Sequence, residues 1–201
     1  MQPSAAWFDY EIVLRDIYRL MLMIEYRANI NSPTLNDNKW LNELHQKYFS
    51  NEAAHLLVSI ASSVRRIQDT EWRSLSADER STLKGRVVGD KERVGFHLLG
   101  SGNGVLNFGL RDACNYIMHA HTIEWHAAGN GSLSQAYRLP FYDLVLESFK
   151  RADTKNILLT EEAVYLADDT AGKSWEVLIE LNKFLKAAAN KISVDMTSVN
   201  S

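Results

Sequence analysis

The chain has 201 residues, 46 % of them hydrophobic, a formal net charge of −3 and a single cysteine. That length and apolar content suffice for one buried core. The slightly acidic balance excludes an indiscriminate polyanion coat, and the lone Cys114 excludes an internal disulfide. The longest apolar run, LMLMI at 20–24, is far too short to cross a bilayer, and the N-terminus lacks a secretory signal pattern, so the expectation is one domain over 1–201, cytoplasmic and with no membrane partner.

With Ser4 as a cap, AAWFDYEIVLRDIYRLMLMIEYRANI runs without Gly or Pro up to Pro33 and reads as a long first helix. A second helix is expected from about Asn38 to Phe49, with Trp40, Leu41, Leu44 and Tyr48 at helical spacing. SNE then offers a fresh cap to a third, in which Ala53, Leu56, Leu57, Ile60, Val64 and Ile67 form the apolar stripe of a core helix. Residues 70–93 are charge-rich and read as a short helix with an exposed connection.

FHLLGSGNG and AAGNGSLS bracket LRDACNYIMHAHTIEWH, residues 110–126, as a further helix. After Pro140, YDLVLESF alternates weakly, NILLT and AVYLA suggest short strands, and DDTAGK suggests a turn. SWEVLIELNKFLKAAANKI, capped by Ser174 and striped by Trp175, Leu178, Leu181, Leu185 and Ala188, reads as the last helix, and 193–201 as a frayed tail. The predicted fold is mainly α, an up-and-down helical bundle of about five helices with a small β-hairpin or short sheet before the last helix.

The chemistry concentrates on 110–126. At ~100° per residue, Arg111, Thr122, Asn115, His126, His119 and Asp112 fall within an arc of roughly 100°. His121 and Cys114 fall on the core side. Solvated helix faces are usually filled with Glu and Lys, and this arc has neither. Arg, Asn and His offer instead a phosphate fork, an orienting amide and a proton carrier active near neutral pH. A second polar stripe on the third helix, Glu52, His55, Ser59, Ser62, Ser63 and Arg66, reads as a tight helix contact with its hydroxyls bonded back to the backbone. If it faces the first stripe, His55 and Arg66 join the same cleft.

Other chemistries are less well provided for. His119 and His126 lie about 10 Å apart along a helix and cannot chelate one ion unaided. Glu52-x-x-His55 is half of a di-iron pairing without its second half. GSGNG lacks the preceding strand and third glycine of a dinucleotide cradle, so no metal and no cofactor are expected.

The EAAHLLVSIASSVRRIQD helix, the later LRDACNYIMHAH helix and the long first helix together resemble the HEPN superfamily, small all-α bundles found among nucleotide-binding proteins and RNA-cleaving toxins. The resemblance covers about residues 5–127 plus the final helix. Active members have an Arg, commonly followed by a polar residue, and a His after four to six intervening positions; here Arg111 is followed by Asp112, and seven residues separate Arg111 from His119, one more than the pattern. The resemblance implies metal-independent RNA cleavage with His119 as general acid or base, Arg111 stabilising phosphoryl charge and Asn115 orienting one or the other. Asp112, Thr122, His126, His55 and Arg66 are then candidate substrate or partner contacts. It further implies RNA or a nucleotide as ligand, a homodimer, and an antitoxin-like protein as a possible partner. The second expectation is a non-catalytic module of the same fold for dimerisation or partner binding.

Overall fold

The computed structural model describes residues 10–29, 38–86, 88–89, 91–98, 105–126, 162–168 and 175–199. Among the described residues are five helices, α1 (Tyr10–Asn29), α2 (Lys39–Ser74), α3 (Ala77–Lys84), α4 (Leu110–His119) and α5 (Leu181–Val199). With them run five strands, β1 (Gly95–Leu98), β2 (Val105–Phe108), β3 (Thr122–His126), β4 (Ala163–Asp168) and β5 (Trp175–Glu180). The strands form one antiparallel sheet in the order β2-β1-β5-β4-β3. The expected all-helical bundle with a minor hairpin is therefore corrected to a helical layer packed on a five-stranded sheet, and the all-α architecture implied by the HEPN resemblance is not that of this chain.

The corrections have local causes. The second and third expected helices are one 36-residue helix, α2, because Phe49, Ala53 and Leu56 carry the buried stripe in phase through Ser50 and Asn51. The expected helix at 110–126 ends at His119, where Ala120 turns extended (φ −68°, ψ 130°). TIEWH then alternates as a strand against β4, Ile123 opposite Leu166 and Trp125 opposite Val164. GFHL is β1 rather than part of the loop that leads into the helix, and 99–104 lie outside the described residues. WEVLIE is β5 rather than the first turns of a helix, and α5 begins only at Leu181.

Residues 193–199, expected to be frayed, continue α5. The Ser76-x-x-Glu79 pair forms a complete capping box at the start of α3. The readings at Ser4, Pro33, YDLVLESF, NILLT and Ser174 fall outside the described residues, as does DDTAGK after its first residue, Asp168, which ends β4.

One row of residues crosses the whole sheet on its helix-facing side, Phe108, Gly95, Ile179, Val164 and Trp125. Gly95 is needed there, because a Cβ would lie 2.5 Å from both the Leu178 carbonyl oxygen and Cζ of Phe108. Over this row pack Val13, Ile17, Leu20 and Ile24 of α1, the stripe of α2, Ala113, Cys114 and Ile117 of α4, and Phe184, Leu185, Ala188 and Ile192 of α5, all in one apolar cluster. A smaller cluster of Ala163, Tyr165 and Leu178 lies on the opposite face.

Candidate phosphate-binding groove

α4 packs chiefly on α2. Its apolar side, Ala113, Cys114 and Ile117, is buried, while Arg111, Asn115 and His119 recur every four residues along the edge toward α2. Burial pushes the Cys114 thiol up to about 12, which leaves it a neutral packing group.

The first of the three expected catalytic residues is occupied. Arg111 Nη2 donates to Asp69 Oδ1 at 2.8 Å, its Nη1 donates to the Gln68 carbonyl oxygen at 3.3 Å, and its Cζ lies 4.6 Å from the Trp72 ring centroid. Arg65 Nη1 reaches the same Asp69 oxygen at 2.8 Å. Arg111 thus ties α4 to α2.

The other two border open space. A depression of about 500 Å³ is lined by Asn115, Tyr116, His119, His121, Asp168 and Trp175, among others. A second, of about 450 Å³, is lined by Arg65, Arg66, Asp69, Arg73, Asn115 and His119, among others. The two share Asn115, Met118 and His119, so they adjoin at the end of α4, one on its sheet side and one on its α2 side, and together make up the groove. On the α2 side, three arginines face a single aspartate. Arg66 and Arg73 carry no ion pair among the described residues.

The floor on the sheet side is aromatic. Tyr116 packs against Trp175 with centroids 4.8 Å apart and planes tilted by 52°, and against Phe108 at 5.0 Å with a tilt of 56°. Burial, with Asp112 nearby, holds the Tyr116 hydroxyl above its usual range, so it stays a neutral phenol. Asp112 as a whole is exposed, yet protein crowded around its carboxyl raises its pKa, with Arg111 and Arg65 pulling the other way.

Of the remaining expected contacts, Arg66 joins the groove and His55 does not. His55 is exposed on α2 three turns before Arg66. The stripe around it is used locally, Glu52 accepting from Arg19 at 2.6 Å and Ser59 donating to Asp16 at 3.2 Å rather than to its own backbone. Thr122 and His126 leave the arc because they are strand residues, opposite Ala167 and Ala163 of β4. Thr122 alternates with Ile123 and so sits on the face of the sheet away from the helices.

His121, expected on the core side, is 61 % exposed and enters the groove with Nδ1 3.3 Å from Asp168 Oδ1. Arg65, Arg73, His121, Asp168 and Trp175 were not among the expected site residues. The α2 arginines had a signal, since Ser62, Arg66, Asp69 and Arg73 recur at helical spacing on one face.

Among the described residues no group of three or more His, Cys, Asp or Glu side chains could hold a metal ion, and no helix is long and apolar enough to cross a membrane. No protein-family model, curated protein or solved structure matches this chain.

Proposed function

We propose that the protein binds RNA or a nucleotide through phosphate contacts in the α2–α4 groove and cleaves RNA without a metal, His119 transferring a proton. The observation that carries this reading is the junction of the two depressions at Asn115 and His119, with Arg66 and Arg73 on the adjoining wall. Guanidinium forks recognise phosphate oxygens, an imidazole exchanges protons near neutral pH, and an aromatic floor offers a base a stacking surface. Arg111 is committed to Asp69 and Trp72, so the phosphate-neutralising part falls to Arg66 and Arg73.

The test is binding of a fluorescent single-stranded RNA by anisotropy across a salt series, with cleavage followed in EDTA. The double variant Arg66→Ala/Arg73→Ala is expected to weaken binding and to reduce the slope of log affinity against log salt by about 1.4. His119→Ala is expected to bind normally and to cleave roughly 10²- to 10⁴-fold more slowly. Unchanged binding in the arginine variant, together with unchanged cleavage in the histidine variant, would remove the groove from consideration.

A second reading, a non-catalytic module for a second copy of the chain or another protein, is favoured by one feature. Trp40, Leu44, Tyr48 and Val58 lie along the outward face of α2 with 64, 42, 52 and 38 % of their surface exposed. A dimer in sedimentation that Trp40→Glu and Tyr48→Glu dissociate, from a protein that cleaves no RNA, would establish this reading instead.

A further inference from the structure

The two imidazoles of the groove are held differently. His119 ends α4, whereas His121 stands at the threshold of β3, its backbone N–H donating to the Ala167 carbonyl oxygen at 3.0 Å. Strand register then sets its neighbour. Thr122 pairs with Ala167 in the antiparallel β3–β4 ladder, so the residue before Thr122 falls beside the residue after Ala167. That residue is Asp168, whose side chain is 11 % exposed and whose Oδ1 lies 3.3 Å from Nδ1 of His121. The contact is an ion-pair distance rather than an aligned hydrogen bond; turning the exposed ring to aim Nδ1–H at this carboxylate would select the tautomer that carries its proton there and leave the Nε2 lone pair as the acceptor. Trp175, opposite Asp168 on β5, lines the same depression and packs on Tyr116.

We propose that His121, positioned by Asp168, is the general base of this groove, and that His119 is its general acid. The inference rests on the RNA-cleaving reading above. Nε2 of neutral His121 takes the proton of a ribose 2′-hydroxyl as that oxygen attacks the adjacent phosphorus. The bond from phosphorus to the 5′-oxygen breaks, and protonated His119 gives its proton to the departing oxygen. The products are a 2′,3′-cyclic phosphate and a 5′-hydroxyl; one proton is taken up and one released, so no metal, water or redox partner is consumed. Asp168 touches no reacting atom. It holds the ring direction and accepts from Nδ1–H of the imidazolium as it forms.

The experiment compares wild type, His121→Ala, Asp168→Asn and His119→Ala, in EDTA, on ordinary RNA and on the same RNA with sulfur as the bridging 5′ leaving atom. Anisotropy reports binding and circular dichroism reports folding. A thiolate leaves without protonation, so the sulfur substrate bypasses a missing acid and not a missing base.

His121→Ala is expected to lose roughly 10²- to 10⁴-fold in cleavage on both substrates with RNA affinity intact, and to regain part of it with added imidazole. His119→Ala is expected to be equally slow on ordinary RNA and to recover on the sulfur substrate. Asp168→Asn should lower kcat by about 10²-fold or more with affinity unchanged, where a merely structural loss would lower both. If wild type and His119→Ala behave as expected while His121→Ala cleaves at the wild-type rate, the inference falls alone. Recovery of His121→Ala rather than His119→Ala on sulfur would overturn the assignment of base and acid. A wild type that cleaves neither substrate overturns the RNA-cleaving reading and this inference with it.

Discussion

Two arginine–carboxylate pairs in this molecule have almost the same parts in opposite surroundings. Arg93 lies 3.1 Å from Glu180, with its guanidinium 4.4 Å from the Phe96 ring centroid, and both side chains are 3 % exposed or less. Arg111 lies 2.8 Å from Asp69, with its guanidinium 4.6 Å from the Trp72 ring, and the two side chains are 30 and 38 % exposed. The first pair sits in the sheet, where Glu180 also accepts from Lys183 at 2.9 Å and its backbone N–H donates to the Val94 carbonyl oxygen. The second borders the groove. Water decides what each pair does: a dry pair strongly penalises loss of either member, whereas a wet pair can be remade with solvent or with a ligand.

The largest expected effect follows from the dry pair. Glu180→Ala leaves the Arg93 cation buried beside Phe96 without this carboxylate, and should destabilise the fold by about 3–5 kcal/mol in urea unfolding. Replacing both members by apolar residues, Arg93→Met with Glu180→Leu, should recover most of that loss, because neither desolvated charge then remains. A double variant as unstable as the single one would show that the pair's hydrogen-bonded connections, not its charges, hold this part of the sheet.

Gly95→Ala tests the same dry region by packing alone. Its Cβ would meet the Leu178 carbonyl oxygen and the Phe108 ring at 2.5 Å, and the expected cost is about 1–3 kcal/mol in the same assay. Adding Phe108→Leu should restore only part of it, since the backbone oxygen stays where it is. Full restoration would mean that β5 yields more readily than the closed row across the sheet implies.

For the wet pair the comparison is sharpened by a double-mutant cycle. Arg111→Ala and Asp69→Ala should show a coupling of no more than about 1 kcal/mol, screened further by salt. Asp69 also holds Arg65, so Asp69→Ala frees two guanidinium groups beside Arg66 and Arg73 and should tighten RNA binding as it loosens the α2–α4 contact. A coupling as large as that of Arg93 with Glu180 would make Arg111 a core residue in all but exposure.

The same contrast explains what could be read in the sequence. α1 and the second half of α2 were legible because Val13, Ile17, Leu20 and Ile24, like Ala53, Leu56, Ile60 and Val64, repeat with the helical period against one core. The sheet was not. In β4, Ala163, Val164, Tyr165 and Leu166 are buried on both faces, which erases the alternation that marks a strand. From WEVLIE into α5, Trp175, Leu178 and Leu181 keep helical spacing although the first two are paired strand residues, and the true helix that begins at Leu181 hid the boundary.

The groove was legible by half. Asn115, His119 and Arg66 follow from helix faces, whereas His121 and Asp168 meet only through the register of β3 on β4, a pairing 47 residues apart in the chain. Arg111 has the residue type that phosphate chemistry wants, and its neighbour across the helix contact decided otherwise. The exposure of His121 follows from the turn to extended backbone at Ala120, which a helix over 110–126 does not contain.

The smallest expected effect repeats the comparison in histidines. His45 is packed between Tyr26 and Phe49, with ring centroids 4.9 and 4.8 Å away, and its Nε2 has no hydrogen-bond partner among the described residues. His97 packs on Tyr116 at 5.8 Å with its Nδ1 likewise unpartnered. Burial lowers the pKa of His45 below 6.5, Arg27 adding to the effect, and burial alone lowers that of His97. A depressed folded-state value means that the unfolded chain takes up the proton first. The stability that these two neutral rings contribute is therefore fully present above about pH 6.5 and is lost as the pH falls toward their depressed folded values.

His45→Phe/His97→Phe should accordingly show a shallower fall of Tm between pH 7 and pH 5 than wild type, by a few degrees. Parallel curves for wild type and the double phenylalanine variant would place the acid sensitivity elsewhere.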